Sequence, residues 1–280
     1  MIPSTKNLIK STLISYSKHS GKFLFVLSTG RVGTDALTKL LDLSTSVVSD
    51  HEPAPEFTQL TKDSYQHSIS KEMRQTTTDQ YLEARIFSHS NCSRLRGALL
   101  KNRIYAETSN RLTYIAPELS SSLKNAKFIF LHRHPAEVVV SAMRRNYYAS
   151  NPWDDFRITP REDDQFYADW PSFSQFQKCC WYWRGVNEFS LQFLENLPKT
   201  QYFTLSSNDL FAPNIQTLNS MFKWIGGDLP EEADIFELLS VKHNEQRTGA
   251  FPPWEEWEEK LKTELAEIAG PVADRLGYSL

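Results

Sequence analysis

Two stretches about a hundred residues apart constrain this chain more than any other feature. The first, Phe23-Leu-Phe-Val-Leu-Ser-Thr-Gly-Arg-Val-Gly-Thr34, runs directly into Ala36-Leu37-Thr38-Lys39-Leu40-Leu41. The second, Lys127-Phe-Ile-Phe-Leu-His-Arg-His-Pro135, runs into Ala136-Glu-Val-Val-Val-Ser-Ala-Met-Arg-Arg145. Each is an apolar run of strand length, then a turn carrying Gly, Pro or Arg, then apolar residues at helical spacing. A strand that ends in such a turn and opens a helix aims backbone N–H groups and the helix dipole at one spot, which suits a phosphate. Two such turns in one chain imply a ligand with two phosphate-like groups.

The rest of the chain repeats the alternation. Short β-branched or aromatic runs at Lys22–Leu27, Val47–Ser49, Ile104–Glu107, Lys127–His132 and Gln201–Leu205 read as strands. Helical patterns lie between them. The longest places Phe173, Phe176, Cys180, Trp183, Val186, Phe193 and Leu197 at spacings of three, four and seven; Trp181 and Trp183 are expected in its core. Further helices are expected at Ile215–Ile225, stopped by Gly226-Gly227, and at Glu255–Leu276, interrupted by Gly270-Pro271. Strands alternating with helices give an α/β fold, a mostly parallel sheet with helices on both faces. No repeat or low-complexity linker divides the 280 residues, so residues 1–280 read as one domain. Residues 53–100, polar and helical in pieces, with Tyr65, His67, Tyr81, Arg85, Phe87 and His89 among charges, and residues 147–172, rich in Asp, Pro and aromatics, read as lids or acceptor-binding insertions.

Composition removes several classes of function. A formal net charge of −3 argues against a nucleic-acid-binding surface. No apolar run approaches the roughly 18 residues of a membrane span. No apolar segment before Phe23 resembles a secretory signal. Cys92, Cys179 and Cys180 show neither metal-ligand spacing nor a paired framework, so no metal is expected and a reducing, cytoplasmic compartment is.

The first loop is not a nucleotide-hydrolase signature. Ser28 stands where a Walker A loop has its first glycine, and Gly33 is followed by Thr34-Asp35 rather than Lys-Ser/Thr. The chain instead resembles the sulfotransferases that use 3′-phosphoadenosine 5′-phosphosulfate (PAPS). Their Lys/Arg-Ser-Gly-Thr-Thr loop is matched by Arg31-Val32-Gly33-Thr34, and their Arg-Asp-Pro with a following Ser by Arg133-His134-Pro135 and Ser141. The likeness continues, in order, through Tyr105-Ala-Glu-Thr, Trp181-Tyr-Trp-Arg-Gly-Val-Asn187, Arg247-Thr-Gly249 and Ala273-Asp-Arg-Leu-Gly-Tyr278. It covers about residues 22 to 278.

This resemblance implies a P-loop-containing parallel sheet flanked by helices. It implies that PAPS is the donor, that a carbohydrate or other small molecule is the acceptor, and that no metal takes part. Gly30, Arg31, Val32, Gly33, Thr34 and Asp35 would cradle the 5′-phosphate. Arg133 and Ser141 would hold the 3′-phosphate, with Arg247, Thr248 and Gly249 closing over it. Arg31 would stabilise the departing oxygen. Glu52, in Asp50-His51-Glu52-Pro53, would be the base, with His51 as base or orienting group. Asp35 departs from the family, where a threonine is usual, and a carboxylate there would repel a phosphate. It supports an alternative, a nucleotide-binding module of the same fold without transferase activity. A P-loop kinase is the other alternative, and the missing Walker lysine argues against it.

Overall fold

The computed structural model describes residues 5–66, 71–87, 92–241 and 250–280. Strands β1 (Lys22–Leu27), β2 (Val47–Asp50), β3 (Ile104–Glu107), β4 (Asn125–His132) and β5 (Tyr202–Ser206) form a five-stranded sheet in the order β2-β3-β1-β4-β5, with every pair parallel. All five expected strands are present, with small shifts at their ends. The helices are α1 (Thr5–Ser20), α2 (Thr34–Asp42), α3 (Thr58–Gln66), α4 (Lys71–Phe87), α5 (Cys92–Leu100) and α6 (Ala116–Ser122), then α7 (Pro135–Arg144), α8 (Gln175–Glu195), α9 (Ser207–Phe211), α10 (Ile215–Ile225), α11 (Glu232–Ser240) and α12 (Glu259–Arg275).

Strand period explains the two layers of core. Successive side chains of β1 point to opposite faces. Phe23, Phe25 and Leu27 pack with Tyr105, Phe128 and Phe130 on one face, under Tyr81, Leu82 and Ile86 of α4. Leu24 and Val26 pack with Ile129 and Leu131 on the other, under Leu37 and Leu40 of α2, Val139 of α7 and Trp183 of α8. All of these side chains are buried, each worth about 1.5–3 kcal/mol of transfer free energy. Trp181 and Trp183 are in that core, as expected.

Chain order then places the loops. From β1 the chain goes out to β2, returns to β3, and crosses to β4 on the far side of β1. The β1–β4 pairing ends at Leu27 opposite Phe130, so the turns that follow both strands lie side by side at the carboxyl edge of the sheet. In an open parallel sheet this change of direction is where ligands bind.

Of the two segments read as insertions, residues 53–100 are helical in pieces, as expected, but not only a lid. Most of residues 53–100 forms helices α3 to α5, and α4 is part of the core, carrying the fully buried Arg85. His67 and His89 lie outside the described residues. In residues 147–172, Trp170 packs edge-on to Tyr148 and Trp181, whereas Trp153 and Phe156 remain exposed.

One helical expectation needs correction, and one helix is additional. Gly270-Pro271 does not interrupt the last helix, which continues to Arg275 with Pro271 inside it. Ile268, Ala269, Val272 and Ala273 are buried on both sides of the proline, and that packing outweighs the lost hydrogen bond. Helix α1, where only weak apolar periodicity exists, was not anticipated; Leu13 and Ile14 rest against the aromatic face of the core.

Candidate active site

The loop after β1 is curled by left-handed backbone at Gly30 (φ 72), Arg31 (φ 62) and Gly33 (φ 100). Gly33 is the N-cap of α2, and a Cβ there would come within 2.9 Å of Phe211 Cζ, so no larger residue fits without a shift. Arg31 lacks a glycine's freedom, and its backbone conformation costs about 1–3 kcal/mol. Neighbouring groups hold it there: Arg31 Nε donates to Ser141 Oγ at 3.0 Å, and its carbonyl accepts from Arg133 Nη1 at 3.3 Å. Burial and the nearby Arg145 push the Arg31 guanidinium down from its ordinary value.

Arg133 leaves β4 and enters α7. Its guanidinium pairs with Glu137 one helical turn on, at 3.0 Å, and lies over the Phe211 ring at 5.6 Å. Its backbone is also fixed, because Trp183 Nε1 donates to the Arg133 carbonyl at 3.0 Å. Ser207, buried at the start of α9, ties the two turns together: its hydroxyl lies within hydrogen-bonding distance of the Val32 carbonyl at 2.6 Å and the His132 carbonyl at 3.3 Å. Val32 itself is buried, so the loop meets a ligand through backbone rather than through that side chain.

Two clefts meet at Arg31 and Thr34. The larger, about 790 Å³, is lined by Gly33, Asp35, Arg133, Ser141, Arg144, Phe211, Phe236 and Trp254, among others. The smaller, about 530 Å³, takes in Gly30, His51, Glu52, Asn110, Arg111, Arg145, Tyr147, Trp153, Phe156 and Tyr182. The expected residues of the two motifs and of the Asp50–Pro53 turn are therefore brought together. Arg247, Thr248 and Gly249 lie outside the described residues.

Asp35 is turned to Lys39, whose ammonium pairs with it at 2.9 Å. The repulsion expected of its carboxylate is thus offset by a cation one helical turn away. His51 Nδ1 lies 3.2 Å from the Thr108 carbonyl and 3.1 Å from its hydroxyl. A carbonyl only accepts, so that contact favours the Nδ1–H tautomer and leaves Nε2 as the accepting nitrogen. Glu52 has left-handed backbone at φ 43, and its carboxylate lies 3.7 Å from Arg111, which also holds Glu56 at 2.8 Å. The turn is fastened from behind. Arg85 pairs with Glu107 at 2.8 and 2.7 Å, and its remaining arm donates to the Pro55 carbonyl at 3.0 Å.

A family model described as the sulfotransferase family matches residues 24–231. The chain belongs to the sulfotransferase family. Solved structures agree in fold. A sulfotransferase domain from the curacin biosynthetic pathway is 16% identical, with 93% of this chain and 99% of that chain covered, at a TM-score of 0.54. The sulfotransferase domain of the Synechococcus PCC 7002 olefin synthase is 15% identical over 94% and 97% of the two chains, again at 0.54. Sulfotransferase STF9 from Mycobacterium avium is 13% identical over 98% and 81%, at 0.55. No curated protein sequence matches the chain.

Several residues at and behind the clefts had no signal in the sequence. Asn110 and Arg111, from the 3-10 turn Asn110–Ile115, line the smaller cleft, and Ser207 is buried behind the loop; no spacing rule marks any of the three. Arg145 closes the second motif, but no periodicity marks it as facing a cleft. Among the described residues no group of His, Cys, Asp and Glu is arranged to hold a metal ion, and no helix is long and apolar enough to cross a membrane.

Proposed function

We propose that this chain transfers a sulfuryl group from PAPS to a hydroxyl of a carbohydrate or other small-molecule acceptor. The observation that carries this reading is the meeting of two clefts at Arg31 and Thr34, with Arg133 and Ser141 on one side and His51 and Glu52 on the other. When bound, PAPS supplies a sulfuryl group on an oxygen that bridges to its 5′-phosphate, together with a separate 3′-phosphate.

The residues present fit such a molecule. Arg31, Arg133 and Arg144 line the larger cleft; of its three carboxylates, Asp35 is paired with Lys39 and Glu137 with Arg133, and Glu255 is the third. The curled loop and the first turn of α2 offer N–H groups and the Thr34 hydroxyl to the 5′-phosphate. Arg133, planar and permanently charged, holds the 3′-phosphate by two hydrogen bonds, with Ser141 beside it. Arg31 stands at the seam of the clefts and stabilises the negative charge that builds on the departing oxygen. Glu52 takes the proton of the acceptor hydroxyl. The His51 tautomer favours a second assignment, in which Nε2 takes that proton and Glu52 orients the acceptor. Trp153 and Phe156 offer flat apolar surface to the acceptor. The cytoplasm is the compartment we propose, supported by the free, buried thiols of Cys179 and Cys180.

Calorimetric titration with 3′-phosphoadenosine 5′-phosphate (PAP), beside ATP, tests the donor. Micromolar PAP binding that prefers PAP to ATP and collapses in Arg133→Ala is the expected result. Binding no tighter than ATP overturns the reading.

A further inference from the structure

We infer that Tyr278 is a positioning residue for the Arg133 turn and, through it, for recognition of a 3′-phosphate; this rests on the donor reading above. Arg133 lies between His132, the last residue of β4, and His134, the N-cap of α7. Both histidines are held by the segment that follows α12. Gly277, at φ 77, turns that segment back, and the Tyr278 hydroxyl reaches His132 Nδ1 at 2.7 Å. The Tyr278 ring meets the two imidazoles edge-on, with centroids 5.4 Å from His132 and 5.3 Å from His134.

Both nitrogens of His134 are also engaged. Nε2 donates to the Ser279 carbonyl at 3.2 Å, and Nδ1 accepts from the Ala136 N–H at 3.3 Å. An imidazole engaged at both nitrogens is fixed in orientation. Burial favours the neutral form of His132, lowering its pKa to about 4. The turn is thus fastened at three successive residues: His132 and His134 by the Tyr278 segment, and the Arg133 carbonyl by Trp183.

The Arg133 guanidinium is itself engaged: Nε and Nη2 donate to the half-exposed Glu137 carboxylate at 3.1 and 3.0 Å, and Nη1 donates to the Arg31 carbonyl, which leaves one N–H on each of Nη1 and Nη2 for an anion. Two parallel hydrogen bonds from a planar fork depend on direction. Where the backbone is fixed, the fork can pair with an anion at little cost in ordering. Tyr278 supplies much of that fixing without facing either cleft.

The test compares PAP with adenosine 5′-monophosphate, which lacks the 3′-phosphate, on the full chain; the weaker ligand is measured by competition. The ratio of the two affinities reports the 3′-phosphate contact. Tyr278→Phe keeps the ring and removes the hydroxyl. The expected result is a ratio about fivefold lower, with monophosphate affinity and Tm close to those of the natural chain. In an Arg133→Ala background the same substitution is expected to lower the ratio no further. General destabilisation would lower Tm or weaken both ligands together, and would leave the ratio unchanged. An unchanged ratio in Tyr278→Phe overturns the positioning role while the donor reading stands. A natural chain that does not distinguish the two ligands overturns the donor reading, and the positioning role falls with it.

Discussion

Arg133 donates from Nη1 to the carbonyl oxygen of Arg31, 3.3 Å away, so the two cationic turns are joined directly. That bond exists because β1 and β4 are parallel neighbours, and it holds Arg31 in a backbone conformation that an arginine seldom adopts. Arg133 is therefore both a candidate anion ligand and a support for the residue assigned to the departing oxygen.

Replacing Arg133 should be felt at the donor cleft. Arg133→Ala removes a charge-assisted pair worth about 1.5–3 kcal/mol for each hydrogen bond, a loss of roughly 10- to 100-fold or more in PAP affinity. Arg133→Lys should recover only part of it, because an ammonium cannot present two parallel donors. Titration calorimetry on the three proteins checks this.

The base can be assigned by paired substitutions. If Glu52 takes the proton, Glu52→Gln should lower kcat by about 10²–10⁴-fold and leave PAP affinity near that of the natural chain. His51→Gln should then have the smaller effect. The reverse order would assign the proton to His51 Nε2 and make Glu52 the orienting group.

The Arg85–Glu107 pair should matter for stability. Both side chains are buried, at 1% and 0% exposure, and the pair is bidentate. Removing one partner leaves a buried charge, so Arg85→Met should cost about 3–5 kcal/mol in urea unfolding. Arg85→Met combined with Glu107→Leu should recover part of the loss. Because Arg85 also holds the Pro55 carbonyl, the single variant should disturb the Glu52 turn.

Acid should weaken the fold partly through His132. Its pKa falls from 6.5 to about 4 on burial, so between those values the unfolded chain binds more protons than the folded one. Stability from this source is therefore complete above about pH 6.5 and is lost as pH falls towards 4, on the order of 3 kcal/mol in all. Subtracting the urea-derived stability profile of His132→Gln from that of the natural chain should isolate this slope.

Ser207→Ala should loosen both turns at once. Its buried hydroxyl meets the carbonyls of Val32 and His132, so the expected cost is about 1–3 kcal/mol in stability, accompanied by weaker PAP binding. Thermal unfolding and PAP titration on the same protein separate the two effects.

What the sequence determined by itself was local and periodic. The alternation of Phe23 to Leu27, the turn residues Gly30, Gly33 and Pro135, and the helical spacing of Leu37, Leu40 and Leu41 announced the strand–turn–helix units and the parallel sheet. The same signals marked the two candidate anion motifs, because left-handed backbone and helix starts leave a signature in residue type. Even the Asp35–Lys39 pair was present at i,i+4 spacing, although only the folded helix shows the carboxylate turned to the lysine. Only tertiary structure decided which distant residues meet. The crossover of β4 to the far side of β1 puts Arg133 against Arg31, and burial joins Arg85 to Glu107 and Tyr278 to His132. It also carried α12 through Pro271, because apolar faces packed on both sides outweighed one missing hydrogen bond. Such contacts follow from strand order and burial rather than from any interval along the chain, so no spacing rule could have shown them.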